Sequence, residues 1–386
     1  CRHLVGVTAG ARCGARLPSP RRRDCRGAVR GSAAVRDSTA VTSSAWLRGA
    51  VRGSTAVREY CSAGRVAPSM TRIGRSDLDI LPLSLGGNVF GWTADRDASF
   101  EILDAFHAGG GDFIDTADAY SAWVPGHSGG ESETILGEWL AARRPSNVVV
   151  ATKVSQHPDF RGLSAKNVRA AAEASLKRLG IDTIDLYYAH FDDASVPLEE
   201  TVAAFGDLVR DGLVRYTAVS NYSAERIREC IGLAEAAGTA LPVAVQPHYN
   251  LVHRNEVEES IIPVAEEFGL SLVPYSALAS GFLTGKYRST DPAGQSSPRA
   301  GGAAKYATPQ GLSIIDALES IGSAHGASVS ATALAWLRMQ PTVAAPIASA
   351  SKVDQVADLL VSARLDLTPD ELAELDRVST WTPATA

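Results

Sequence analysis

Short apolar runs alternate with amphipathic stretches along most of the chain. Runs at 81–86, 112–117, 147–153, 183–190, 214–220, 242–247, 270–275 and 343–347 read as strands. They are brief, rich in Val, Ile, Leu and Tyr, and bounded by turn-forming residues. Between them apolar positions recur at helical spacing, near 97–108, 131–142, 197–210, 223–237, 256–268, 310–325, 328–340 and 352–361, with a further helix opened by Ser164 as N-cap and closed by Gly180. A last stretch, 369–379, has Thr368 and Glu371 spaced as a capping box with Pro369 in the first turn.

Strand and helix patterns that alternate in this way predict βαβ units and a parallel sheet. Eight such units in about 290 residues fit a closed (β/α)₈ barrel, an α/β fold of the TIM-barrel type, with the helix at 369–379 packed outside it. The structural alternative is a doubly wound open sheet. It lacks its Gly-x-Gly-x-x-Gly fingerprint, because Leu85-Gly86-Gly87-Asn88 follows the first run.

The pattern is absent from residues 1–69. That segment holds thirteen Arg, no Lys and three acidic residues, although the whole chain of 386 residues has a net charge of −6. The stretch 27–37 returns almost unchanged at 49–59, and neither copy has an apolar face. We expect a disordered, low-complexity extension ahead of a barrel spanning 70–386, with Met70 as the start of translation. A transit peptide or a nucleic-acid contact would also use arginine, but no aromatic interleaving or binding fold accompanies the cluster.

From Met70 onward the chain is acidic and has one cysteine, Cys230. No disulfide framework, membrane-crossing run or secretory leader is legible, so a cytoplasmic protein is expected. No His, Cys and Asp cluster has ligand spacing, so no metal is expected; His127 lies in a Gly-rich loop at 126–130.

Three of the strand-like runs close on ionisable residues: Asp115, Lys153 and His190, with Tyr120 five places beyond Asp115. In a barrel such strand-end positions converge on one mouth. Together they can hand a proton to a carbonyl oxygen. A phenol is a poor acid near neutrality, a neighbouring ammonium lowers its pKa, an aspartate keeps that ammonium charged, and a neutral imidazole can hydrogen-bond the oxygen. Singly, each residue has an ordinary structural explanation.

Phe113-Ile114-Asp115-Thr116-Ala117-Asp118-Ala119-Tyr120, Ala151-Thr152-Lys153 and Asp185-Leu186-Tyr187-Tyr188-Ala189-His190 resemble motifs of the aldo-keto reductases, over about residues 70–381. The resemblance implies a (β/α)₈ barrel that binds NADP(H) without a Rossmann domain and an Asp/Tyr/Lys/His catalytic tetrad at Asp115, Tyr120, Lys153 and His190. It also implies that Ser220, Asn221 and Gln246 hold the nicotinamide carboxamide and that Tyr275 stacks on the nicotinamide. Ser276, Leu278, Ser280, Gly281, Lys286 and Arg299 would grip the pyrophosphate. Ser351, Lys352 and Gln355 fall on the 2′-phosphate segment, where Ser351 and Leu359 depart from the Arg and Asn of many members.

Asn88, Phe90, Trp92 and Trp123 are expected to wall a pocket for a small carbonyl substrate. The expected activity is NADPH-dependent reduction of an aldehyde or ketone. Its rivals are a nucleotide-sensing subunit resembling the potassium-channel β-subunits and a non-redox barrel.

Overall fold

The structure is a computed structural model that describes residues 69–289 and 300–380. The expected N-terminal extension and Arg299 lie outside the described residues. Eight parallel strands form one curled sheet: β1 Ser84–Gly86, β2 Phe113–Asp115, β3 Val149–Val154, β4 Ile184–Ala189, β5 Val214–Ser220, β6 Pro242–Gln246, β7 Ser271–Leu272 and β8 Ile347–Ala348. β8 pairs with β1 through Ile347 and Ser84. The circle closes where Leu272 bridges Val343, with Leu272 N donating to Thr342 O and Ala344 N to Leu272 O, both at 2.8 Å.

Period-two alternation sorts the strand residues onto two faces. Ile114, Val150, Val154, Tyr187, Ala189, Val219, Val245 and Leu272 point outward into the large core shared with the helices. Phe113, Ala151, Leu186, Tyr188, Ala218, Ala244 and Val273 fill the barrel interior. Asp115, Lys153, His190, Ser220, Gln246 and Tyr275 share the parity of these interior residues but lie at the C-terminal ends of their strands. The bottom of the barrel is apolar and filled, and its top is polar.

A hairpin unforeseen in the sequence, Thr71–Arg72 with Asp79–Ile80, sends Ile73, Leu78 and Ile80 into the interior cluster and so plugs the lower end.

The enclosing helices are α1 Arg96–Ala108, α2 Glu131–Arg143, α3 Ala165–Leu179, α4 Leu198–Arg210, α5 Ala224–Ala237, α6 Ile262–Phe268, α7 Pro309–His325, α8 Val329–Arg338, α9 Asp354–Ser362 and α10 Pro369–Ser379. The capping box at α10 forms as expected, and Gly180 closes α3 at φ +65°. Ser164 stands at the N-cap of α3 but makes no side-chain cap bond; Glu200 accepts from Ala165 N at 2.8 Å instead. The helix expected at 256–268 begins as a π-turn, Val257–Ile261, with Ile262 N reaching back to Val257 O. Pro263 follows at once, and its missing N–H disfavours a regular ladder there.

Candidate active site

Asp115 ends β2, and the chain beyond it stays tied to β3: Thr116 N donates to Ala151 O at 2.8 Å and Asp118 N to Lys153 O at 3.2 Å. This brings Tyr120 over Lys153. The fully buried Lys153 ammonium donates to Asp115 Oδ1 at 2.5 Å, Thr116 O at 2.7 Å and Tyr120 Oη at 3.1 Å. All three of its protons are used, a condition for burying a charge at low cost. Asp115 Oδ2 accepts from Gln246 Nε2 at 2.9 Å. The His190 ring meets the Tyr120 ring edge-on at 6.1 Å between centroids.

Burial drives the electrostatics. It raises Asp115 above the usual carboxylate range, and the Lys153 charge only partly offsets this. For Lys153, burial acts to lower the ammonium, but Asp115 and Tyr120 outweigh it and the net shift is upward. Tyr120 departs from the sequence expectation: Lys153 does lower its pKa, but burial is the larger effect and the phenol ends above its ordinary value. His190 is held well below 6.5 by burial and then by Lys153, so it is neutral at pH 7. Its Nδ1 is buried without a partner.

A cleft of about 1020 Å³ runs from this cluster across the mouth to α9. Asp115, Tyr120 and His190 line its inner end, with Lys153 beneath. Of the positions expected to hold a cofactor, Ser220, Asn221, Gln246, Tyr275, Ser276, Leu278, Ser280, Gly281, Lys286, Ser351, Lys352 and Gln355 all line it. The carboxamide positions form a chain: Tyr275 Oη donates to Asn221 Oδ1 at 2.8 Å, Asn221 Nδ2 to Ser220 Oγ at 3.0 Å, and Ser220 Oγ to Gln246 O at 2.9 Å.

Residues 276, 279, 280 and 281 all have positive φ, which coils the loop after β7 tightly beside Lys286. At the far end Gln355 Oε1 accepts from Ser351 N at 2.8 Å and Lys352 N at 3.3 Å. An elongated trough with amide-type groups at one end, a coiled loop and lysine midway, and Lys352 beside a helix start fits a dinucleotide.

Of the expected substrate wall, Asn88 and Trp92 line the cleft. Trp123, half exposed, packs edge-on against Trp92 at 5.6 Å and Tyr120 at 6.1 Å. Phe90 is a correction: it is fully buried in the outer core. The 3₁₀ turn Gly87–Val89 tucks it inward, and Ser121 Oγ donates to its carbonyl.

Sequence reasoning missed Phe191, large, exposed and adjacent to the His190 ring, and Ser349, which donates to Asn88 Oδ1 at 2.7 Å. An apolar residue directly after a strand-end histidine was the available signal for Phe191. It also missed Asp354 and Asp358 at the far end of the cleft. Among the described residues no cluster could hold a metal ion, and no helix is long and apolar enough to cross a membrane.

A (β/α)₈ barrel with a buried Asp–Lys pair, a tyrosine and a neutral histidine beside a nucleotide-sized trough defines a barrel oxidoreductase. The chain belongs to the aldo/keto reductase family, whose model matches residues 82–380. It is 33% identical to a protein of Oryza sativa named "Probable voltage-gated potassium channel subunit beta", over 79% of this chain and 95% of that one. It is 32% identical to "Protein tas" of Escherichia coli, over 80% and 96%. To "Aldo-keto reductase str7" of Strobilurus tenacellus it is 30% identical, over 80% and 89%.

Proposed function

We propose that the protein reduces an aldehyde or ketone to an alcohol with NADPH, Tyr120 being the general acid. The observation that carries this reading is the Lys153 ammonium bonded at once to Asp115 and Tyr120 at the inner end of the trough. When bound, the reduced nicotinamide supplies the hydride for the carbonyl carbon.

The chain supplies the rest. A carbonyl oxygen set between Tyr120 and His190 accepts a hydrogen bond from each. As negative charge grows on that oxygen, the Tyr120 proton moves to it and Lys153 stabilises the phenolate left behind. Asp115 keeps Lys153 charged and aimed. His190, neutral, orients the oxygen without adding a charge. Ser220, Asn221 and Gln246 would hold the carboxamide by exchanging their present partners for it, and Tyr275 would support the ring.

Lys352 supports NADPH as the reductant, and Asp354 and Asp358 nearby oppose it. Comparing kcat/KM with the two dinucleotides tests the preference, and equal or better use of NADH would overturn it.

The channel-subunit name among the relatives favours a second reading, a nucleotide-binding subunit with little turnover. NADPH oxidation with a panel of aldehydes and ketones separates the two. Rapid oxidation is expected, and tight NADPH binding with negligible oxidation across the panel would favour the subunit.

A further inference from the structure

Behind Tyr275 three rings form a column. The turn Asn250–His253 is closed by reciprocal backbone hydrogen bonds of 3.2 and 2.9 Å, which folds His253 back onto His248. The two imidazoles stack with centroids 4.0 Å apart and planes within 13°. His248 in turn stacks on Tyr275 at 5.3 Å and 21°, and the main chains join where Tyr275 N donates to Pro247 O at 3.0 Å.

Asn250 fastens the column. Its Nδ2 donates to Ser276 O at 2.9 Å and faces His248 Nε2 at 3.4 Å, which makes Nε2 the acceptor and places the proton of the neutral ring on Nδ1. With its hydroxyl held by Asn221 and one face covered by His248, Tyr275 has its other face left for the trough it lines.

We propose that His248, backed by His253, is a positioning residue for the cofactor: the column sets the plane of Tyr275 against the nicotinamide, and it does so only while both imidazoles are uncharged. This rests on the reading that the trough takes a nicotinamide dinucleotide. Two imidazolium rings at stacking distance repel, and Lys305 adds a further positive charge on both. Glu256, which faces His253 and Tyr275, is the opposing carboxylate.

Burial, helped by His253 and Lys305, brings His248 down to about 4, and burial also lowers His253. Both are therefore neutral at pH 7, and it is falling pH, not rising pH, that would charge the rings and set them against each other. Protons can reach it, because His253 lines a separate cavity of about 390 Å³.

The test is NADPH affinity of the full-length protein, read by quenching of tryptophan fluorescence at neutral pH, together with melting temperature. His248→Phe keeps a ring without a charge and should hold the Kd within about twofold. His248→Ala should weaken it about three- to tenfold, the worth of one aromatic pair. His248→Arg, permanently charged, should weaken it more than alanine does. Unchanged affinity in the alanine variant, or losses that follow melting temperature and not ring and charge, would overturn the proposal. Failure of the unsubstituted protein to bind NADPH would instead overturn the functional reading beneath it.

Discussion

Burial and the Lys153 ammonium pull the Tyr120 phenol in opposite directions, and burial prevails. Tyr120 is therefore protonated at neutral pH, the form that the proposed reduction needs. Reduction should stay level through neutrality and decline only as pH rises through the raised Tyr120 pKa. Lys153→Met removes the influence that lowers that pKa, so the alkaline decline should move to still higher pH while kcat falls, as a pH–rate profile would show. Tyr120→Phe should lower kcat by roughly 10²–10⁴-fold with NADPH affinity nearly unchanged, measured by steady-state kinetics beside a binding titration. Asp115, Lys153 and His190 were legible because each closes an apolar run on a charge or an imidazole. Phe90 was misjudged because a loop has no period to say which way a ring points, and the balance of burial against charge at Tyr120 is a property of packing that no motif states.

At the scale of elements, the loop that carries Tyr120 also carries Asp118, buried with both carboxylate oxygens unpartnered. Burial, then the Glu133 charge, raises Asp118 well above 3.8. Its folded-state pKa exceeds its unfolded value, so the folded form binds the extra proton. That contribution to stability is fully present below 3.8 and is lost as pH rises through the raised value. Asp118→Asn removes this loss, so its advantage in melting temperature over the unsubstituted protein should grow as pH rises, which thermal scans at several pH values would check. Glu133, fully buried on α2, accepts from Arg178 of α3 at 2.6 Å and from Thr152 of β3 at 2.5 Å. Arg178→Met leaves that carboxylate without its cation and should cost about 3–5 kcal/mol in urea denaturation. The α10 cap and the Gly180 stop could be read from the chain, since local chemistry decides both. Ser164 could be read as the N-cap residue as well, but not its missing side-chain bond or the Glu200 carboxylate that reaches the Ala165 N–H from a helix 35 residues on.

For the molecule as a whole, the eight-unit rhythm showed the barrel, whereas its lower plug was hidden in two strands of two residues each, too short to carry a period. Ile80→Ala should destabilise the fold by about 2–5 kcal/mol yet leave NADPH affinity unchanged, because the plug lies at the opposite end of the barrel from the trough; chemical denaturation and a binding titration check the two halves. The ring of strands is fastened between β7 and the segment entering β8 by one bridged pair and three backbone hydrogen bonds, the third from Ile347 N to Pro274 O at 2.8 Å, whereas β3 and β4 register over four residues. The trough crosses above that narrow join, from Tyr275 past β7 to Ser351 past β8. The dinucleotide proposed to lie there would work as a clasp across the hoop's buckle, so loading the protein should slow amide exchange first at Leu272 and Ala344, ahead of the broad joins on the far side.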